Sequence, residues 1–162
     1  MHSRIDSQKV APGVFRAMLA LENYVRNSSG REPSMLELVR MRASQINGCA
    51  YCLDMHSKDA RAAGESEQRL YALSAWQETP FFTDRERAAL AWTEAITLIT
   101  SGHASDEVYE QVRRSFSEKE LVNLTLAIVA INGWNRLNVG FRTVPGSYQS
   151  TKDQPLATAI SR

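Results

Sequence analysis

Cysteine and histidine are scarce in this 162-residue chain: there are two of the first and three of the second. With no second C-x-x-C, a closed four-ligand structural zinc site within one chain is short of ligands. Long hydrophobic runs are missing as well, and nothing approaches the ~20 apolar residues that span a bilayer. The opening MHSRIDSQKVAPG lacks the apolar core of a secretory signal. No charge of one sign prevails: the formal net charge is +1, with acids and bases interspersed. A nucleic-acid footprint or an affinity for anionic membrane is therefore not expected. Strand-like alternation and internal repeats are also lacking. These absences lead to the expectation of a cytoplasmic, single-domain protein. In that compartment a cysteine pair is catalytic, redox-sensing or metal-binding rather than a structural staple.

Apolar residues make up 43% of the chain and charged residues 23%, within the globular range. Helical signals recur along it. Pro12 opens a helix to about Asn27, with Val14, Phe15, Met18, Leu19, Leu21 and Val25 at helical spacing. Ser28-Ser29-Gly30 ends it. A second helix runs from Pro33-Ser34 to about Ile46, with Leu36, Val39, Ala43 and Ile46 as its stripe, and Asn47-Gly48 breaks it. A third covers roughly Cys49 to Ala63 and stops at Gly64. Ser66 to Ala75 reads as a short helix and Trp76 to Phe82 as a connection. Thr83 and Glu86 form a capping box that opens a helix to about Ile99. A Ser101-Gly102-His103 loop leads to a helix from Asp106 to Arg114. Ser117 and Glu120 form a second box before the longest apolar run, Leu121 to Ile131, which continues to about Asn138. That helix is apolar nearly all round and is expected to be central or buried at a subunit contact. The reading is all-α, with a domain over residues 1–146 and a polar C-terminal tail over 147–162.

Chemistry concentrates in ELVRMRASQINGCAYCLDMH, residues 37–56. Residues three and four apart share a helix face, so Cys49, Cys52, Leu53, His56 and Ala60 form one seam. A C-x-x-C at a helix start has its thiol pKa lowered by the terminal amides and by a nearby imidazolium. His56 lies one turn beyond Cys52, placed to take its proton, and Glu37 on the preceding helix can orient His56. Other readings stay open here. Ser34 and Glu37 also fit a capping box, and the two thiols with His56 also fit a zinc site. Trp92, Trp134 and Phe141 read as packing residues, Asn132 and Asn135 as amides bonded across a helix contact, and His103 as a surface residue.

The pattern E-x11-C-x2-C-x3-H resembles the alkylhydroperoxidase D-like, or carboxymuconolactone decarboxylase-like, superfamily. ELVRMRASQINGCAYCLDMHSKDARAAG is similar to that family's core. RLYALSAWQETPFFTDRERAALAWTEAIT and LTLAIVAINGWNRLNVGFR are similar to its core-domain subgroup, so the resemblance spans about residues 10–146. It implies an all-helical AhpD-like fold assembled as a homo-oligomer, a trimer or hexamer. It implies reduction of hydroperoxides by a redox-active Cys49–Cys52 disulfide, with no metal, haem or other cofactor. A dithiol reductant or lipoyl-type protein partner would restore the thiols. By position, Cys52 matches the peroxide-attacking cysteine, Cys49 the resolving one, and His56 and Glu37 the proton relay. Tyr51 stands where the family's well-studied peroxidase has a further histidine, and a phenol of pKa ~10 is a poor shuttle at neutral pH. That departure keeps a general thiol–disulfide oxidoreductase and a non-enzymatic redox-sensing oligomer in view.

Overall fold

Pro12 has no amide hydrogen to leave unpaired, and a long helix begins on it. The computed structural model describes residues 2–28 and 32–150. Its elements are α1 (Ser7–Val10), α2 (Pro12–Ser28), α3 (Pro33–Asn47), α4 (Ala50–Ala62) and α5 (Glu67–Ala72), followed by a 3₁₀ turn (Leu73–Glu78). The rest are α6 (Asp84–Thr97), α7 (Ile99–Gly102), α8 (Asp106–Arg113) and α9 (Glu118–Phe141). Among the described residues there is no strand, as expected of an all-α chain. None of their helices is long and apolar enough to cross a membrane.

Both capping boxes form. The Thr83 amide donates to Glu86 Oε2 at 2.8 Å and the Glu86 amide to Thr83 Oγ1 at 3.2 Å. Ser117 and Glu120 repeat the exchange at the start of α9. Each box satisfies amides that a helix start leaves without partners.

The helix α3 is the hub. Its Met35 and Val39 pack with Trp92 of α6, Val112 of α8 and Ile128 of α9. Its Leu38 and Met41 meet Leu73, Trp76 and Leu90. Leu36 joins Val25, Ala127 and Ala130. Ala43 joins both cysteines and Ile131. The helix α9 is central, as its apolar run implies, although Val122 and Val129 form an exposed edge.

Several boundaries differ from the sequence reading. Asp6 caps an unforeseen α1, accepting from the Lys9 amide at 3.0 Å. The expected helix to Ile99 ends at Thr97, and Ser101-Gly102 lies in the helical turn α7 rather than a loop. His103 follows as its left-handed cap (φ 53°) and is exposed. The Trp76–Phe82 connection opens inside the 3₁₀ turn because Trp76 is drawn into the core. The last helix extends to Phe141. Along α2, Val14 and Leu19 are exposed instead of buried, because they border a cavity. The Ser29-Gly30 stop and tail residues 151–162 lie outside the described residues. Residues 146–148 are tied to α4: the Gly146 amide donates to Asp54 at 2.9 Å, and the Tyr148 hydroxyl donates to Asp59 at 2.9 Å.

Ile128 is fully buried where α3, α6 and α9 meet. Ile128→Ala should lower unfolding free energy by about 2–5 kcal/mol in chemical denaturation. Val122→Ala, on the exposed edge, should stay within about 0.5 kcal/mol of the parent.

Candidate active site

Gly48 sets the geometry. It takes φ 65°, a left-handed conformation that glycine adopts without a Cβ penalty. The chain turns there, with the Cys49 amide donating to Ser44 O at 3.0 Å. Cys49 thus becomes the N-cap of α4, its Sγ accepting from the Cys52 amide at 3.4 Å. Both thiols are free and buried, with Cys49 1% and Cys52 0% exposed.

A row of asparagines on α9 closes over the pair. Asn138 Nδ2 donates to Cys52 Sγ at 3.4 Å. The Asn135 side chain lowers the pKa of both thiols. Its orientation is fixed by Asn47 Nδ2, which donates to Asn135 Oδ1 at 2.9 Å, and by its own Nδ2, which donates to Ser44 Oγ at 3.0 Å. Asn132 donates to Thr97 Oγ1 at 3.0 Å and accepts from Asn47. Asn132 and Asn135 therefore bond across helix contacts, as read from the sequence, and Asn135 also serves the thiols.

This setting divides the pair. The hydrogen bond from the Cys52 thiol, aided by backbone amides and Asn135, brings the Cys49 pKa down to about 7 against the pull of burial. Cys52 is pushed up, because it donates to Cys49 and is itself buried. At rest, negative charge belongs on Cys49.

Glu37 does not cap α3. The side chain of the N-cap residue, Glu32, makes no capping bond, and Glu37 Oε2 lies 2.8 Å from His56 Nδ1. A carboxylate only accepts, so Nδ1 carries the proton and Nε2 is the imidazole's basic atom. Arg40 Nη1 donates to Glu37 Oε1 at 2.6 Å, and its other arm holds Glu22. Burial works to raise the Glu37 pKa, but the His56 hydrogen bond and the charges of His56 and Arg40 outweigh it and hold it down. Among the described residues no hydrogen bond joins His56 to either thiol.

The zinc arrangement is not assembled. Among the described residues the close cluster of metal-capable groups is Glu37, His56 and Asp59, with ligand atoms within 4.8 Å of one another, and neither thiol belongs to it. Arg40 and Tyr148 already occupy its carboxylates. The Tyr148 hydroxyl is pushed up to about 12 by burial and by the Asp59 carboxylate it bonds.

A cavity of about 530 Å³ opens beside these groups. His56, Tyr51, Asn138 and Tyr148 line it, together with Phe15 of α2 and Trp134 of α9. The last two rings meet edge to face, 5.5 Å between centroids. Trp134 thus lines the cavity, whereas Trp92 packs in the core. Burial and the neighbouring thiols raise the Tyr51 pKa, so its phenol stays protonated at neutral pH. The sequence reading did not include Asn138, Asp59 and Tyr148. The spacing of Asn132, Asn135 and Asn138 at every third position, on one face of an apolar helix, was a signal available for the first of them.

Comparison with known proteins places the chain. The model of the carboxymuconolactone decarboxylase family matches residues 12–95. The uncharacterized protein YdfG of Bacillus subtilis is 44% identical over 139 residues, which cover 86% of this chain and 94% of that one. A crystal structure from Agrobacterium tumefaciens is 47% identical, with a TM-score of 0.87 over 91% of this chain and 100% of the other. That protein is of unknown function and has been proposed as an AhpD antioxidant-defence protein. The debrominase Bmp8 shares the fold at 21% identity, with a TM-score of 0.77 over 87% of this chain and 75% of its own. The chain belongs to the carboxymuconolactone decarboxylase family, and its all-α fold is AhpD-like.

Because folding lowers the Cys49 pKa, its thiolate's contribution to stability is complete above the unfolded value near 9.0 and is lost as pH falls through about 7. Reduced protein should therefore gain thermal stability between these pH values relative to Cys49→Ser. Its thiolate ultraviolet absorbance should rise with a midpoint near 7 that Cys49→Ser abolishes. A first midpoint near that of a free thiol would contradict the assignment.

Proposed function

We propose that the protein is a thiol-dependent hydroperoxide reductase that cycles Cys49 and Cys52 between dithiol and disulfide. The observation that carries this reading is a pair of buried free thiols, one of lowered pKa, at the start of the helix whose carboxylate-oriented imidazole lines an organic-sized cavity. The 47%-identical structure proposed for antioxidant defence supports it. The debrominase is a reminder that the fold alone does not select the reaction.

The Cys52 proton passes to the Cys49 sulfur along their shared hydrogen bond, leaving a thiolate on Cys52. That sulfur attacks the terminal oxygen of ROOH, the O–O bond breaks, and the departing alkoxide takes the proton that Cys49 gave up on ionising, held on Nε2 of His56, giving ROH. Cys52 is then a sulfenic acid. Cys49 condenses with it, forming the disulfide and releasing water. Two electrons have moved from the thiols to the peroxide. An external dithiol returns them by exchange, and its own sulfurs become a disulfide.

Burial of both sulfurs favours a slender oxidant over a folded protein's disulfide. For the same reason a narrow dithiol of the lipoyl kind, entering by the cavity, suits the return step. Assembly as a trimer or hexamer, expected from the family resemblance, and a cytoplasmic location, expected from the composition, belong to the same proposal.

Stopped-flow turnover of an organic hydroperoxide with excess dithiol tests it. Wild type should turn over repeatedly, and Cys49→Ser and Cys52→Ser should each stop multiple turnovers. His56→Ala should slow turnover by about 10²-fold or more, the range for a lost acid–base group. If both cysteine variants consume peroxide at the wild-type rate, the reading fails.

A further inference from the structure

We propose that Asn138 is a catalytic residue, its side-chain amide holding negative charge on the Cys52 sulfur while its carbonyl oxygen receives the hydroperoxide O–H. The inference deepens the peroxidase reading and rests on it for the second half.

The two thiols are not served alike. Cys49 sits on the α4 N-terminus and takes the Cys52 backbone amide. Cys52, one turn in, has its own amide committed to Cys49. Its sulfur therefore depends on side-chain donors from α9. Asn135 is shared between the thiols, whereas Asn138 Nδ2 bonds Cys52 alone, at 3.4 Å. Asn138 is also the one of these two amides that lines the cavity. No described residue donates to its Oδ1. Its backbone is fixed as well, because the Thr143 amide donates to Asn138 O at 2.9 Å where α9 ends.

One planar amide thus touches the reacting sulfur with its donor edge and has a free acceptor beside the cavity. A hydroperoxide has one O–H to donate, on the terminal oxygen that sulfur attacks. Bonding it to Oδ1 brings that oxygen next to the sulfur bonded to Nδ2. When the Cys52 proton moves to Cys49, the same Nδ2–H stabilises the new thiolate. A hydrogen bond to a charged acceptor is the strong kind, shortest and most favourable when the charge is present. Without that donor, charge on Cys52 loses the side-chain donor that serves it alone.

The test separates this residue from the wider reading. In a Cys49→Ser background, the Cys52 thiolate is titrated by ultraviolet absorbance in the parent, in Asn138→Leu and in Asn138→Ala. Both changes should leave about tenfold less thiolate at neutral pH, with the midpoint moved to higher pH. Asn138→Leu nearly keeps the side-chain volume and adds no charge, so a packing role alone would leave its midpoint in place. Asn138→Ala carries the test if the leucine variant does not fold. With Cys49 intact, Asn138→Leu should move the pH profile of turnover to higher pH and raise KM for an organic hydroperoxide. Unchanged midpoints in both variants overturn the assignment of Nδ2. An unchanged KM overturns that of Oδ1. The titration needs no turnover, so shifted midpoints in a protein inert toward hydroperoxides would sink the peroxidase reading and leave the Nδ2 assignment standing.

Discussion

A single left-handed residue, Gly48, lets two helices meet at a corner instead of continuing as one. Had α3 run on, Cys49 would lie within a helix, its sulfur far from unpaired amides. The break gives α4 a new N-terminus, and Cys49 caps it. Any residue with a Cβ at φ 65° carries a backbone cost that glycine avoids. The residue before it completes the corner: Asn47 donates to Asn132 and Asn135 of α9, so the turn is tied to the helix that covers the thiols. The positions of both sulfurs, and of the amides bonded to them, follow from that turn.

A chain of charged groups joins α2, α3 and α4. Glu22 of α2 and Glu37 of α3 share the buried guanidinium of Arg40, and Glu37 passes on to His56 of α4. Isolated, any of these charges would be costly to bury. Together they alternate in sign, and each carboxylate has a donor. The arrangement favours a specific His56 tautomer more than it favours stability, because an apolar replacement of similar volume would not need desolvation. Asp59, bonded by the Tyr148 hydroxyl, adds a further carboxylate within 4.8 Å of the ligand atoms of Glu37 and His56. The α2 wall of the cavity is held through Glu22, which links the exposed Val14 and Leu19 to the site.

Much of this was legible in the residues. The capping boxes at Thr83 and Ser117 were readable because each depends on a local spacing of two side chains. The corner was readable because Asn-Gly interrupts an apolar period, and the seam of Cys49, Cys52, His56 and Ala60 because a period of 3.6 puts it on one face. The four-residue turn α1 was not, since SQKV has no apolar stripe and a single Asp6 bond stabilises it. The competing roles of Glu37 could not be separated in sequence, because cap and relay need the same residue type; only the position of His56 decides. Apolar spacing in α2 signalled a face but not whether core or cavity lay against it. Tyr148 was unreadable for another reason: its partner lies far away in sequence, and a polar segment without periodicity carries no hint of where it returns.

The central claim is that Cys49 and Cys52 are oxidised as a pair by a hydroperoxide that enters beside His56. Mass spectrometry of the reduced protein after one equivalent of an organic hydroperoxide tests it most directly. The account predicts a loss of two hydrogen atoms, a peptide joining Cys49 to Cys52, and one equivalent of the alcohol. Intact thiols with unconsumed peroxide, or oxygen added at a methionine with both cysteines still free, would contradict it.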